Sequence, residues 1–259
     1  GTISSSGLLT APTSVGSLNV TATSASVSAT KQVNVVADAL DRAVLPQPVI
    51  VVVGQQVQLN AVGYDQYDNV VSLSGYAYQV SHGSVTTTGL FTAPTSVEHV
   101  SVSLTGAGLP MGLSVTGDVY AVADAVAFAQ IIPVVFSLDN HETAQFSVID
   151  VVDQYGNAVN LTVNENGEVV NVPVVVSWAV NGSGGIDYIG SITSSGLFTA
   201  TNAGFGAFTA SVTVDGTTKY ATKYLTVNDV DAPVITLQSP ADGSALNPDA
   251  SINYGLSDD

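Results

Sequence analysis

The sequence predicts an all-β chain built as a tandem of β-sandwiches, with incomplete sandwiches at both ends, and three observations predict it. A twelve-residue phrase occurs three times, as GTISSSGLLTAP at 1–12, GSVTTTGLFTAP at 83–94 and GSITSSGLFTAT at 190–201. Self-similarity at domain-sized spacing dictates a repeat architecture. After each copy apolar and polar residues alternate: Leu18, Val20 and Ala22, then Val100, Val102 and Leu104, then Phe208, Ala210, Val212 and Val214. That period of two is a half-buried strand. Helix signals are almost absent, since Val, Thr, Ser and Gly dominate and no long stretch has a 3.6-residue period.

The phrase itself reads as a short strand, a turn and a second short strand. Gly1, Gly83 and Gly190 open the copies, Ile3, Val85 and Ile192 supply one β-branched residue each, and Gly7, Gly89 and Gly196 sit where a turn takes positive φ. Residues 1–37 begin at this phrase, which lies late in the later units, so they form the C-terminal part of a sandwich. Residues 38–48 are a linker with Asp38, Asp41, Pro46 and Pro48. The unit 38–124 runs complete: strands at 49–53 and 56–64, a DQYDN loop at 65–69, a central strand at 76–80, the phrase, and strands around 100–104 and 113–122.

The unit 125–229, entered through a second linker around 123–133, repeats the second strand at 146–152 and the loop as DQYGN at 153–157. The two loops start 88 residues apart (65 to 153) and the last two phrases 107 apart (83 to 190), which leaves 19 extra residues. Residues 161–176 are the insertion, an added hairpin with Asn166-Gly167 as its two-residue turn. Such an addition at a sandwich edge is ordinarily a contact or edge-covering device. Residues 230–259 read as a linker and the first two strands of a further sandwich. Two explanations account for the truncated ends. The chain is an excerpt of a longer array, or neighbouring subunits complete each other's half-sandwiches by strand addition.

These residues carry a resemblance. The phrase G-x-[IV]-x-x-x-G-L-F-T-A-P, together with DQYDN and DQYGN, resembles the bacterial immunoglobulin-like domains of the Big-2 and invasin/intimin kind, in which a D-x-Y-G-N loop follows the second strand. The match spans nearly the whole chain. It implies tandem immunoglobulin-like sandwiches of a kind that serve adhesins, surface layers, phage tails and enzyme spacers alike, so it does not by itself assign a task. Tyr78 and Trp178 take equivalent central-strand positions, where such sandwiches bury an aromatic; a sugar-stacking Trp is the alternative.

Of the 259 residues nearly half are apolar, enough for a core in each unit. There are 21 acidic and 4 basic residues, a net charge of −17, which repels nucleic acid and anionic lipid headgroups and favours basic partners and divalent cations. With no cysteine, disulfides and thiolate metal sites are excluded. No stretch approaches the roughly 18 apolar residues of a membrane span. No basic segment followed by an apolar one opens the chain, which leaves any export signal removed or outside this sequence.

Two readings of the acidic linkers stand side by side: they hold calcium as a cofactor, or they bind nothing and simply stay solvated. VNDVDAP at 227–233 resembles the cadherin-type linker D-x-N-D-N-x-P, which implies Asn228, Asp229 and Asp231 as oxygen donors; Asp231 stands where that pattern has its second Asn, and the first Asp is missing. Asp38, Asp41 and Asp124 lie at the corresponding junctions, and hard oxygen ligands suit Ca²⁺. Asn19, Asn160 and Asn181 open N-x-[ST] sequons and are candidate glycan acceptors on an exported protein, the alternative being chance occurrence in a Ser/Thr-rich chain. Lys31, Lys219 and Lys223 are available for Lys–Asn crosslinks of the kind some surface immunoglobulin-like modules carry.

Catalysis finds little footing. His82, His99 and His141 are scattered, the pairs Asp65/Asp68 and Asp150/Asp153 sit at loop starts where Asp forms turns, and NGSGG at 181–185 lacks the Lys and helix of a phosphate loop. The sequence therefore predicts a non-enzymatic, extracellular, cell-surface structural protein: a fibre, surface layer or adhesin stalk. Its expected partners are other copies of itself or adjacent repeats, with neither nucleic acid nor a direct membrane span. The alternative is an adhesin module recognising glycans or host proteins through loops at the sandwich tips. An enzyme accessory region would need a catalytic domain elsewhere.

Overall fold

The computed structural model describes residues 1–45, 47–135, 137–181, 188–239 and 253–257. By their contacts they divide into two units, Gly1–Asp124 with Leu161–Val170, and Ala125–Asn160 with Asn171–Asp259. All regular elements described are β-strands.

The first unit opens with two hairpins, β1 (Thr2–Ile3) with β2 (Leu9–Thr10), and β3 (Gly16–Ser24) with β4 (Val27–Val35). Leu18 and Val20 point to the half-buried side while Val27 and Val36 stay exposed. A two-stranded ribbon alone is marginal in water. A full sandwich follows: β5 (Arg42–Val44), β6 (Val49–Val52), β7 (Gln56–Gln58), β8 (Val62–Tyr64), β9 (Val70–Val71), β10 (Ala77–Val80), β11 (Ser84–Val85), β12 (Leu90–Thr92), β13 (Glu98–Thr105) and β14 (Val115–Val122). One sheet runs β10-β13-β14-β6; facing it are β11-β12-β7 and β5-β8-β9. The alternation read from Val100, Val102 and Leu104 holds, and these side chains join Val53, Leu59, Phe91 and Val119 in the core. Each such fully buried side chain contributes about 1.5–3 kcal/mol.

The strand expected over 56–64 is two strands. β7 pairs with β12 and β8 with β5, so the chain changes sheet at Leu59–Ala61. Tyr78 explains how the break is tolerated: its hydroxyl donates to the Leu59 carbonyl (2.7 Å) and accepts from the Ala61 N–H (3.1 Å). Backbone groups that lose their ladder partner inside a core need a substitute, and the central aromatic supplies it.

The second unit repeats the plan with β15 (Phe128–Ile132), β16 (Ser137–Asp139), β17 (Thr143–Gln145) and β18 (Ser147–Val152). In chain order the inserted hairpin comes next, β19 (Leu161–Val163) and β20 (Val169–Asn171), whose residues Leu161–Val170 are counted with the first unit; the second unit resumes with β21 (Val174–Asn181), β22 (Gly190–Ile192), β23 (Leu197–Ala200), β24 (Gly204–Val214) and β25 (Thr217–Asn228). The sheets are β16-β25-β24-β21, β17-β23-β22 and β15-β18. Phe146, Phe198 and Phe208 are fully buried, and Trp178, half-buried, packs on Phe208 with ring centroids 6.0 Å apart. Trp178 is therefore a core aromatic. Beyond it β26 (Val234–Ser239) pairs with β27 (Asn253–Ser257); the residues between them, and 182–185 of the NGSGG stretch, lie outside the described residues.

The insertion is shorter than expected. Val174–Val176, counted with it from sequence, open the central strand β21 and pair with β24. Its turn is also different from the Asn166-Gly167 two-residue form. Asn164 and Glu168 close it through Asn164 N–H to Glu168 carbonyl (2.9 Å), leaving three residues in the loop, with Gly167 at φ +82°. The cause is Asn164, whose side-chain oxygen accepts from both Asn166 and Glu168 N–H groups and so starts the turn earlier.

The repeated phrase is one hairpin turn made three times. Ser4, Thr86 and Thr193 each donate their N–H to the carbonyl of Leu8, Leu90 and Leu197, and their hydroxyls accept the N–H of the same leucines at 3.0, 3.0 and 3.1 Å. The Ser/Thr run of the phrase thus holds the turn closed from its first residue.

Candidate functional site

The D-Q-Y loops hold the most organised polar groups in the chain. Asp65 ends the second strand and is only 1% exposed. Its Oδ1 accepts the N–H groups of Tyr67 and Asn69, both at 2.9 Å, and its Oδ2 accepts the Asn69 side-chain amide and the Asp38 N–H, again at 2.9 Å. Burial pushes the carboxyl pKa up, but the hydrogen bonds from Asn69, Asp38 and Tyr67 outweigh it and hold it at about 2. Asp153, 2% exposed, organises the second loop in the same way, accepting from Tyr155 N–H (2.8 Å), Asn157 N–H (2.9 Å) and the Asn157 side-chain amide.

In the first unit this loop reaches out. The Asn69 side-chain amide donates to the Thr13 carbonyl at 2.8 Å, and its oxygen accepts the Val15 N–H at 3.2 Å. Gln66 donates to the Asp38 carboxylate at 2.9 Å. Beside the loop Arg42 bonds Asp68 at 2.6 Å and lies over the Tyr64 ring, 4.2 Å from its centroid. A groove of about 330 Å³ runs between Pro12, Thr13 and Val36 on one side and Asp38, Tyr67 and Asn69 on the other.

The residues singled out for calcium fall into separate places. Asp38 belongs to the Asp65 network, and its Oδ1 accepts the Ala39 N–H. Asp41 is exposed and donates its N–H to the Tyr64 carbonyl, while Asp124 is half-buried just beyond β14. In the other unit Asp229 accepts the Asp231 N–H (2.9 Å), and Asn228 donates to Asp139 (3.0 Å). Asp231 Oδ2 takes the Asn140 amide and lies 3.1 Å from His141 Nε2. Among the described residues no three His, Asp or Glu side chains come together in one group. Asn19 and Asn160 are exposed; Asn181 ends β21, and its side chain lies outside the described residues.

Of the carboxylates weighed for catalysis, Asp65 and Asp153 bind backbone amides of the loops and Asp68 pairs with Arg42, while Asp150 lies within β18 and not at a loop start. The histidines pair with His82–Glu98 at 3.2 Å, His99–Asp118 at 2.7 Å and His141–Asp231 at 3.1 Å.

One surface escaped the sequence reading. On the outward side of β24–β25, Phe205 and Tyr224 stack at 5.9 Å with ring planes 6° apart, each about half exposed, and Tyr220 stands 73% exposed on the same side of β25. The Thr209–Thr222 and Thr213–Thr218 hydroxyl pairs complete the outward ladder. Its sequence signal is the second half of the alternation, Tyr220, Thr222, Tyr224 and Thr226, which runs out of phase with buried Leu225 and Val227.

No protein-family model matches the sequence, and no curated protein matches it. The structure is similar to that of FdeC, an Escherichia coli adhesin, at 16% identity over 85% of this chain and 75% of that one, with a TM-score of 0.52. Lesser likenesses are to InvD of Yersinia pseudotuberculosis (16% identity, 76% of this chain and 62% of that one, TM-score 0.34) and to domains 4–9 of the surface layer protein SbsC (20% identity, 87% and 37%, TM-score 0.28). The likeness to FdeC is one of fold: an all-β chain with immunoglobulin-like sandwiches in tandem.

Proposed function

We propose that this chain is a load-bearing spacer of an extracellular, cell-surface protein, part of a fibre, surface layer or adhesin stalk, and that it performs no catalysis of its own. The observation that carries the reading is the same in both sandwiches: an early strand pairs in parallel with the last one, β6 with β14 (Val49↔Val119 to Val52↔Val122) and β16 with β25 (Ser137↔Thr226 to Asp139↔Asn228). Tension applied along the chain pulls these two strands in opposite directions. Their evenly spaced hydrogen bonds are then loaded together in shear, instead of one at a time as in a peeling hairpin. The fold's likeness to an adhesin supports the same reading.

Single-molecule pulling of the full chain tests it. Each sandwich is expected to rupture in one high-force event, and Val51→Pro, which removes an N–H and forces the backbone within the β6–β14 ladder, is expected to lower the force of one event only. Gradual low-force extension of the wild-type chain would overturn the mechanical reading.

The Phe205–Tyr224–Tyr220 surface favours a second reading, adhesion to neutral saccharides. Half-exposed aromatic faces beside hydroxyl ladders suit sugar rings, and no charged side chain stands among the outward residues Thr209, Ser211, Thr213, Tyr220, Thr222 and Tyr224. A glycan array probed with the full chain should give hits that Tyr224→Ala abolishes; an array without hits, or hits unaffected by Tyr224→Ala, would sink this reading.

A further inference from the structure

We propose that the D-Q-Y-D-N loop is a connector between successive modules, that its reading element is the Asn69 carboxamide, and that its partner is the bent T-A-P-T-S-V segment of the module before it. Asn69 bonds both the Thr13 carbonyl and the Val15 N–H, gripping the backbone on either side of the bend at Thr13–Ser14. The partners lie 56 and 54 residues away in sequence, so these bonds do not merely shape the loop's own turn.

The carboxamide is held ready before it meets its partner. An amide nitrogen has two hydrogens: one is committed to Asp65, and the other reaches Thr13. Asp65 also grips the Asn69 backbone and, through the Asp38 N–H, the linker itself. The linker, the loop and the preceding module's segment thus meet on one buried carboxylate and one amide. Because Asp65 stays ionised down to about pH 2, the connection keeps its acceptor at any physiological pH.

This inference deepens the load-bearing reading and rests on it only for purpose. Its test is solution NMR on the full chain. In the wild type, residual dipolar couplings from 16–35 and from 98–122 are expected to fit one alignment tensor. In Asn69→Ala the Val15 amide should exchange about tenfold faster, the equivalent of roughly 1.4 kcal/mol at two lost bonds, and the common tensor should be lost. The Val102 and Val119 amides report whether the sandwich itself stays folded. Separate tensors in the wild type would overturn the proposal even if the variant failed to fold, and so would unchanged Val15 exchange in a folded variant. Neither result would touch the rupture forces of the sandwiches, so the two readings fail separately.

Discussion

Phe208→Ala is expected to lower the stability of the second unit by about 3–5 kcal/mol, the range for removing a fully buried aromatic. The ring is 0% exposed and is the centre of the aromatic core, with Phe146 4.5 Å, Phe198 5.5 Å and Trp178 6.0 Å away between centroids. Phe146 and Phe198 also meet edge to face at 6.3 Å. Deleting Phe208 removes the ring that the other three share. A domain holds only about 5–15 kcal/mol in total, and a loss of this size consumes a large part of it.

The readout is built in. Trp178 is the one tryptophan of the chain, and its fluorescence in urea follows this core. The midpoint should fall by at least about 1 M for a slope near 1–3 kcal/mol/M, and the resting spectrum should shift as Phe208 leaves its neighbourhood. A loss below about 1 kcal/mol would mean that the four rings do not pack as one cluster.

How much of this was legible beforehand differs by range along the chain. The repeated phrase could be read as a hairpin because its signals are local: a glycine for the turn, hydroxyls beside it and β-branched residues around it. The core faces of β13 and β24 were legible for the same reason, through alternation. The break at Leu59–Ala61 was hidden, since 56–64 alternates well enough as one strand and only the Tyr78 hydroxyl, which lies 17 to 19 residues on, makes the change of sheet affordable. The parallel pairing of β6 with β14 is likewise a long-range choice that no local pattern announces. DQYDN was recognisable as a loop, yet the partners of Asn69 lie 56 and 54 residues away in sequence, and composition carries no trace of them. The turn of the inserted hairpin was misread because Asn-Gly is a strong signal that a second, earlier Asn overrode.

The glycines at the heart of the repeat allow a sharper test, because the structure gives them the same positive φ in different surroundings. Gly7, Gly89 and Gly196 have φ of +85°, +86° and +86°. An alanine at any of them meets the same left-handed strain, about 1–3 kcal/mol. At Gly7 the new methyl group would find nothing within 4 Å. At Gly89 it would lie 2.6 Å from the Leu59 carbonyl oxygen, and at Gly196 it would lie within van der Waals radii of the Phe146 carbonyl oxygen. Backbone there must shift, and the shift acts on the 2.8 Å bonds by which Leu59 and Phe146 donate to the carbonyls of Gly89 and Gly196. Gly89→Ala and Gly196→Ala should therefore cost at least about 1 kcal/mol more than Gly7→Ala, the worth of one such bond. Exchange of the Ser4, Thr86 and Thr193 amides, each of which closes its own turn, compares the three on one scale. Equal acceleration at all three turns would show that φ alone demands glycine in the phrase. The expected inequality would show that at its second and third copies the glycine also admits the strand that crosses from one sheet to the other, which only a chain folded into a complete sandwich places there.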